Sequence, residues 1–334
     1  MIPPALPTSD ELAMSAAIEV AATARRRSAP NPWVGAVVTS SDGARRYEGA
    51  TEEPGGRHAE IVALEAAGRD AKGSTLVVTL EPCSHHGRTG PCADAIIEAG
   101  VARVVVAVED PDPLVAGSGI KRLVDAGVEV IVGVLAEEAG AQLAPYLHHR
   151  RTGRPLVVLK LASTLDGRTA APDASSKWIT GPEARADVHE LRADSGAIIV
   201  GAGTVRADDP ALTARTEPPT LHQPLRVVLG RAPRDAKVRP CWERTGDLGA
   251  ILDELGAKGI LQVLVEGGAS VAHDFVAADL VDRFVVYLAP AIMGGDDGAP
   301  TLRGPGAPSM EQLRRGRFIS VARLGEDLRL EVAA

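Results

Sequence analysis

Residues 81–92 read Glu81-Pro82-Cys83-Ser84-His85-His86-Gly87-Arg88-Thr89-Gly90-Pro91-Cys92, and the shorter run His58-Ala59-Glu60 precedes them. Zinc binds imidazole and thiolate readily, and a catalytic zinc site keeps one of its four positions for water. His58, Cys83 and Cys92 supply three such ligands. Glu60 stands two residues from the imidazole, and its carboxylate can take a proton from water and return it to a leaving amine. The two runs therefore predict a hydrolytic zinc site.

The same residues match the His-x-Glu, Pro-Cys and Cys pattern of nucleoside and nucleobase deaminases. One feature departs from it, because residues 84–91 separate the two cysteines where the pattern has only two residues. A closed structural zinc site with His85 or His86 as fourth ligand is one alternative, and two unrelated buried cysteines are another. We favour a deaminase, because Glu60 and both Pro-Cys pairs match the chemistry that deamination needs.

Strand and helix patterns alternate around these runs. The predicted strands of the first half are Trp33–Thr39, Thr75–Leu80, Arg103–Val108 and Val128–Val132. Such alternation is typical of a largely parallel sheet covered by helices. The run Leu147–Pro155 contains several basic residues, a glycine and a proline, and we interpret it as a linker. It divides the chain into a first domain, residues 1–150, and a second domain, residues 151–334.

The composition limits the class of protein. The chain has 334 residues, of which 45% are hydrophobic and 24% charged, as is typical of about two globular domains. The formal net charge of −8 argues against a nucleic-acid partner, whose binding needs a basic face. The sequence shows neither an apolar run of membrane-spanning length nor a signal peptide, and three cysteines are too few for a disulfide scaffold. We therefore expect a cytoplasmic protein without nucleic-acid or membrane partners.

Two glycine-rich turns mark the second half. Gly201-Ala202-Gly203 follows one predicted strand, and Gly267-Gly268 follows another. Such turns before a helix suit phosphate groups, because glycine lets the main chain approach and the helix N-terminus offers N–H donors. The dinucleotide fingerprint Gly-x-Gly-x-x-Gly fails, since Arg206 occupies its third glycine position. Taken alone, these glycines are more typical of tight turns than of a cofactor site.

The longer motifs resemble those of the bifunctional deaminase/reductase family of riboflavin biosynthesis. They are the two runs quoted above, Pro30-Asn31-Pro32-Trp33-Val34-Gly35, Leu165-Asp166-Gly167-Arg168, Trp178-Ile179-Thr180 and Glu266-Gly267-Gly268. The resemblance implies a cytidine-deaminase-like three-layer α/β/α domain followed by a dihydrofolate-reductase-like α/β domain that uses NADPH. It also implies Zn²⁺ at His58, Cys83 and Cys92, with Glu60 as the proton carrier.

The resemblance further implies which residues bind the other ligands. In the first domain, the positions that line the pyrimidine or ribose-phosphate pocket are Asn31, His85, Arg88 and Asp110. In the second domain, the cofactor positions are Ala162, Trp178, Thr204, Asp208, Gly268, Ala269, Ser270, Val271, Ala272, His273 and Asp274. The substrate positions there are Ser176, Arg192, Leu212, Arg215 and Glu266. Lys160 and Asp208 match charged positions near the reacting carbon and are the predicted catalytic residues.

One loop of the first domain departs from the family pattern. The family usually has Asp-Pro-Asn-Pro where this chain has Asp110-Pro111-Asp112-Pro113, and it often has a basic residue where Ser118 stands. These departures leave the zinc ligands unchanged. They concern the substrate contacts of the loop that begins at Asp110.

The resemblance predicts two successive reactions. The zinc site deaminates 2,5-diamino-6-ribosylamino-4(3H)-pyrimidinone 5′-phosphate, and NADPH then reduces the ribosyl group to give 5-amino-6-(5-phosphoribitylamino)uracil. Arg192 and Arg215 suit the 5′-phosphate, because a guanidinium donates two parallel hydrogen bonds to phosphate oxygens. We expect this small phosphorylated pyrimidine as the partner, and a homodimer or homotetramer as the assembly. The alternative is a zinc deaminase of nucleobases or RNA with a fused, non-catalytic nucleotide-binding domain.

Overall fold

The computed structural model describes residues 6–84, 90–113 and 115–334, and the chain divides into two compact units, Met1–Gly153 and Arg154–Ala334. The helices of the first unit are α1 (Ser9–Ala22), α2 (Ala59–Ala67), α3 (Cys92–Glu98), α4 (Ser118–Asp125), α5 (Ala136–Gln142) and α6 (Ala144–Thr152). Its strands are β1 (Gly35–Thr39), β2 (Arg46–Ala50), β3 (Thr75–Leu80), β4 (Arg103–Val108) and β5 (Glu129–Val132).

The first unit is built on one five-stranded sheet in the order β2-β1-β3-β4-β5. The strand β1 is antiparallel to β2 and β3, whereas β3, β4 and β5 are parallel to one another. The strands β3 and β4 are nearly continuous apolar runs, as expected of parallel strands that are covered on both faces.

Two glycines let helices approach both faces of this sheet. A Cβ atom at Gly35 would lie 1.9 Å from the carbonyl oxygen of Ala17 in α1, and one at Gly49 would lie 2.2 Å from that of Ala59 in α2. Gly49 pairs with Ala36, the neighbour of Gly35, so the two glycines point to opposite faces. Helices on both faces confirm the predicted three-layer α/β/α architecture.

The second unit holds a larger, mainly parallel sheet. Its helices are α7 (Pro182–Ala193), α8 (Ala202–Asp208), α9 (Leu248–Ala257) and α10 (Ala269–Ala277). Its strands are β6 (Leu156–Thr164), β7 (Arg168–Ala170), β8 (Ala197–Gly201), β9 (Leu225–Leu229), β10 (Trp242–Arg244), β11 (Gln262–Val265), β12 (Arg283–Ala289), β13 (Ala299–Pro300), β14 (Arg317–Leu324) and β15 (Asp327–Ala333).

Eight of these strands form one sheet in the order β10-β9-β8-β11-β6-β12-β15-β14, and β7 pairs with β13 separately. The pairs from β10 to β12 are parallel, and β15 is antiparallel to both β12 and β14. This is the predicted α/β class with an antiparallel edge. In the described ranges, we find no helix that is long and apolar enough to cross a membrane.

The division between the two units, at Gly153 and Arg154, falls inside the predicted linker Leu147–Pro155, but most of this range is helical because α6 continues to Thr152. Pro145 lies in the first turn of this helix, and Gly153 ends it in the left-handed conformation with φ 75°. Proline at the start and glycine at the end are ordinary helix signals. The basic residues in the last turn are stabilised by the helix dipole, so they indicate a helix end rather than a linker.

Candidate active sites

The first site groups one imidazole and two thiols. His58 is the N-cap residue of α2, Cys83 lies just beyond β3, and Cys92 begins α3. The His58 Nδ1 atom lies 3.2 Å from Cys92 Sγ and 3.6 Å from Cys83 Sγ, and the three ligand atoms lie within 4.8 Å of one another. An imidazole nitrogen and a thiolate sulfur on one tetrahedral zinc are about 3.6 Å apart. The three donors therefore fit a zinc ion.

The pKa values of these groups differ strongly from their ordinary values. Hydrogen bonds from Cys92 and His58 outweigh burial and lower the pKa of Cys83 to about 4, whereas the hydrogen bond to Cys83 and burial raise the pKa of Cys92. The hydrogen bond with Cys83 raises the pKa of His58. Burial raises the pKa of Glu60 to about 7, so its carboxyl group can accept and release a proton near neutral pH.

The metal-binding group opens into a cavity of about 430 Å³ in the first unit. Of the predicted site residues, Asn31 and Asp110 line this cavity together with His58, Glu60 and Cys83. The predicted substrate residues His85 and Arg88 lie outside the described residues. The structure thus brings the described candidates of the first domain to one place.

Glu81 is a residue of this site whose role the sequence analysis missed. It follows β3 directly, is only 4% exposed, and its carboxylate accepts hydrogen bonds from main-chain N–H groups. The donors are Asp110 at 3.2 Å, Gly117 at 3.0 Å, Gly119 at 2.9 Å and Ile120 at 3.1 Å. Glu81 therefore fixes the loop that carries Asp110. The available signal was a carboxylate at the end of an otherwise apolar strand.

A second set of missed residues comes from α6. The Tyr146 hydroxyl donates to Asp110 Oδ2 at 3.0 Å. The Arg150 guanidinium lies 5.0 Å from the centre of the Tyr146 ring, and its Nε atom lies 3.4 Å from Asp112 Oδ2. All four residues line the cavity. The sequence could have indicated Tyr146 and Arg150, because they are spaced by about one helical turn. We missed this spacing, because we interpreted Leu147–Pro155 as a linker.

The second unit places its charged candidates on several elements, with Glu266 just beyond the carboxyl end of β11 and Lys160 in the middle of β6. Glu266 follows β11 and pairs with Arg192 of α7, with Nε–Oε1 at 2.6 Å and Nη2–Oε2 at 2.8 Å. Lys160 lies on β6, with its Nζ atom 5.8 Å from the centre of the Tyr287 ring. Burial lowers the pKa of Lys160, against the opposing charge of Glu266. Burial favours the neutral form of Glu266, but Arg192 outweighs it and the pKa of Glu266 is lowered.

His189, which the sequence analysis missed, connects two predicted substrate residues. Its Nδ1 atom lies 3.1 Å from the Thr213 carbonyl oxygen, to which Arg192 Nη1 also donates at 3.2 Å. Arg215 Nη2 lies 2.9 Å from His189 Nε2. A guanidinium only donates, so His189 Nε2 accepts from Arg215, and the main-chain N–H of Arg215 lies 3.3 Å from Nδ1. Burial and the two arginines lower the pKa of His189, which favours the neutral ring.

Two predicted cofactor positions contact each other. The Gly268 N–H group donates to Thr204 Oγ1 at 3.1 Å, and Gly268 is the N-cap residue of α10. The exposed main chain at this helix start offers N–H donors, which fits a phosphate group of a nucleotide. Trp178 is 70% exposed, with the Arg185 guanidinium 4.6 Å from its ring centre.

The other predicted positions of the second unit are spread over several elements. Ala269–Asp274 lie in α10, where Ala272 is buried in the core. Ala162 lies on β6, Ser176 precedes α7, and Asp208 ends α8. Leu212 is buried and has a φ of 51°, in the left-handed region. The cofactor and substrate roles of these residues stay predictions.

The fold and the first site define a zinc-dependent deaminase that is joined to a reductase unit. Residues 7–108 match the family model for the cytidine and deoxycytidylate deaminase zinc-binding region, and residues 155–330 match that for the RibD C-terminal domain. The chain belongs to the RibD family of riboflavin biosynthesis proteins. The predicted family and fold class are thereby confirmed.

Relatives match this chain over nearly its whole length. It is 44% identical over 332 residues to riboflavin biosynthesis protein RibD of Mycobacterium tuberculosis, with 96% of each chain covered. It is 41% identical over 357 residues to that of Bacillus amyloliquefaciens, covering 96% of this chain and 95% of the relative. A solved structure of Acinetobacter baumannii RibD has a TM-score of 0.90 at 38% identity, covering 97% of this chain and 98% of that chain.

A solved Thermotoga maritima structure is also similar. It is described as a diaminohydroxyphosphoribosylaminopyrimidine deaminase/5-amino-6-(5-phosphoribosylamino)uracil reductase. Its TM-score is 0.86 at 35% identity, covering 97% of this chain and 98% of that chain.

Proposed function

We propose that the first unit deaminates 2,5-diamino-6-ribosylamino-4(3H)-pyrimidinone 5′-phosphate and that the second unit reduces the ribosyl group of the product with NADPH. The observation that carries the proposal is the grouping of His58, Cys83 and Cys92 with Glu60 in one cavity. The final product is 5-amino-6-(5-phosphoribitylamino)uracil.

In the deamination, His58, Cys83 and Cys92 hold Zn²⁺, which supplies a Lewis acid and makes water nucleophilic near neutral pH. Glu60 accepts a proton from the attacking water on its carboxylate. The water oxygen bonds to the amine-bearing ring carbon, and Glu60 passes protons from this oxygen to the ring nitrogen and to the amino nitrogen. The carbon–nitrogen bond then breaks and ammonia leaves. The Glu60 carboxyl group is buried in the cavity, so the proton that it holds passes to the substrate rather than to bulk solvent.

In the reduction, NADPH supplies a hydride for C1′ of the ribosyl group. Arg192 and Arg215 bind the 5′-phosphate, and they are held in place by Glu266 and His189 respectively. Lys160 lies on β6 close to the reacting carbon, where its charged neighbours are Glu266 and Arg192. The candidates for the proton donor are Asp208 and solvent.

A two-step assay tests the proposal on the full chain loaded with Zn²⁺. The pyrimidine substrate should release ammonia first, and NADPH absorbance should then fall as the deaminated intermediate forms. Lys160→Ala and Asp208→Ala should slow NADPH consumption while ammonia release continues at the wild-type rate. Ammonia release from free bases or RNA but not from the phosphorylated pyrimidine would show that the substrate assignment is wrong. Unchanged NADPH consumption in both variants would remove these residues from the mechanism.

Assembly as a homodimer or homotetramer and a cytoplasmic location stay predictions from the sequence and its resemblance. Light scattering of the purified chain measures the first of them directly.

A further inference from the structure

The cavity of the first unit has an unusual balance of charge. Among its described lining residues, Glu60, Glu81, Asp110 and Asp112 carry carboxyl groups, and Arg150 is the one lysine or arginine. A phosphate ester adds about −1.5 to −2 charges near pH 7. A cation beside the phosphate would offset repulsion from these carboxylates. Arg150 is the described lining residue that can supply it, and the predicted substrate residue Arg88 lies outside the described residues.

The guanidinium of Arg150 is held on two sides. It lies 5.0 Å from the centre of the Tyr146 ring, and its Nε atom faces Asp112 Oδ2 at 3.4 Å. The Arg150 side chain is 32% exposed and that of Asp112 is 19% exposed, so the pair lies at the boundary between cavity and solvent. The planar guanidinium has donors on several edges, and contact with a carboxylate through Nε is compatible with donation to a ligand through Nη1 and Nη2.

We propose that Arg150 binds the phosphate group of the substrate in the deaminase cavity and that Asp112 and Tyr146 are positioning residues for it. This inference rests on the proposed function and deepens it. Asp112 adds a negative charge to the loop that Glu81 fixes, and its pairing with Arg150 keeps this charge from repelling the ligand. Arg150 and Asp112 therefore act as one unit that selects phosphorylated over unphosphorylated substrates.

The test compares two substrates in the zinc-loaded full chain. One is the phosphorylated pyrimidine, and the other is the same compound without its 5′-phosphate. The readout is the ratio of their kcat/KM values for ammonia release. Arg150→Met removes the charge but keeps an apolar side chain against Tyr146. Arg151→Met is the matched control, because Arg151 is the next residue of α6 and is exposed, outside the cavity lining.

We expect Arg150→Met to lower this ratio by at least about tenfold, since a charge-assisted hydrogen bond to phosphate is lost. The loss should appear in KM for the phosphorylated substrate. Arg151→Met should keep the wild-type ratio. A ratio unchanged in Arg150→Met, or an equal loss on both substrates, would overturn the inference and leave Arg150 a structural role.

The double variant Asp112→Asn/Arg150→Met separates two causes of such a loss. If Arg150 binds phosphate, the ratio stays low when the carboxylate of Asp112 is also neutralised. If Arg150 only masks the charge of Asp112, the double variant returns to the wild-type ratio, and the inference is wrong. Wild-type protein that releases no ammonia from the phosphorylated pyrimidine would refute the proposed function and this inference with it. Active wild type with an unchanged ratio in Arg150→Met refutes the inference alone.

Discussion

Glu81 in the first unit and Glu266 in the second occupy comparable places, because each is the first residue after a parallel strand, β3 or β11. Both side chains are buried, and both lie beside a candidate site. Their partners differ. Glu81 accepts hydrogen bonds from main-chain N–H groups of a loop, whereas Glu266 pairs with the guanidinium of Arg192.

Because the partners of the two glutamates differ, positioning and chemistry are separated in the first unit and combined in the second. In the first unit Glu81 fixes a loop, while a separate glutamate, Glu60, is the proposed proton carrier. In the second unit Glu266 belongs to the same charge network as Arg192 and Lys160. In the first unit, a change at Glu60 should therefore lower kcat without loss of stability, whereas a change at Glu81 should alter stability and KM but not kcat. A change at Glu266 should affect stability and activity together.

The largest effect is expected for Glu60→Gln. Ammonia release should fall about 1,000-fold, because the amide cannot carry a proton between water and the leaving amine. Unfolding should be unaffected, since burial already disfavours the charged form of Glu60. Zinc content, the unfolding midpoint and NADPH consumption with the deaminated intermediate should all match the wild type. Glu65→Gln, an exposed change on the same helix, is the control. Ammonia release within tenfold of the wild type would exclude Glu60 as the proton carrier.

The next largest effect is expected for Glu266→Gln, which should lower both the stability of the fold and the rate of reduction. Leaving Arg192 as an unpaired buried charge should cost about 3 kcal/mol of unfolding free energy. Displacement of Arg192 should also slow reduction roughly 100-fold, while deamination continues. Denaturant unfolding and NADPH absorbance measure the two effects. The control is Glu254→Gln, which breaks the more exposed pair with Arg244 and should cost much less.

The stability effect at Glu266 has a defined pH dependence. The folded-state pKa of Glu266 lies below the ordinary value of 4.5 because Arg192 outweighs burial. Such a group stabilises the fold above its unfolded pKa, and this contribution is lost as the pH falls through the folded pKa. The difference in unfolding free energy between wild type and Glu266→Gln should have its full size at pH 7. It should become smaller as the pH falls below the ordinary glutamate pKa. A difference that stays constant into the acid range would contradict the ion pair as its cause.

The grouping of His58, Cys83 and Cys92 near Glu60 could be predicted from the sequence because the markers of these residues are local. His58 and Glu60 are two residues apart, and each cysteine follows a proline. The fold class could also be predicted, because alternating strand and helix patterns need no knowledge of contacts. The metal-binding motif and the strand and helix patterns can both be recognised from residue types that are close together in the sequence.

The missed residues depend on contacts between distant parts of the chain. The partners of Glu81 are main-chain N–H groups, which every residue except proline carries, so residue type gives no signal for them. The pairing of Arg192 with Glu266 depends on where α7 lies relative to the end of β11, across 74 residues of sequence. Arg150 was misjudged for a local reason, since basic residues at a helix end resemble a polar linker.

The smallest effect is expected for Glu81→Gln, and it decides whether the two strand-end glutamates differ as described. The carboxylate accepts from Gly119 and Ile120 on one oxygen and from Asp110 and Gly117 on the other. The amide NH₂ of glutamine cannot accept, so two buried N–H donors lose their partner, at a cost of about 2 kcal/mol.

Because Glu60 and the zinc ligands are unchanged in Glu81→Gln, the looser loop should raise KM for ammonia release about tenfold and leave kcat near its wild-type value. Hydrogen exchange should accelerate at the amides of Gly117, Gly119 and Ile120, which a purely catalytic role would not produce. Glu109→Gln is the control, since this exposed residue immediately precedes Asp110. A loss of kcat as large as that of Glu60→Gln would instead show that Glu81 takes part in the reaction. Glu81 and Glu266 would then both contribute to stability and to chemistry, and the proposed difference between them would be wrong.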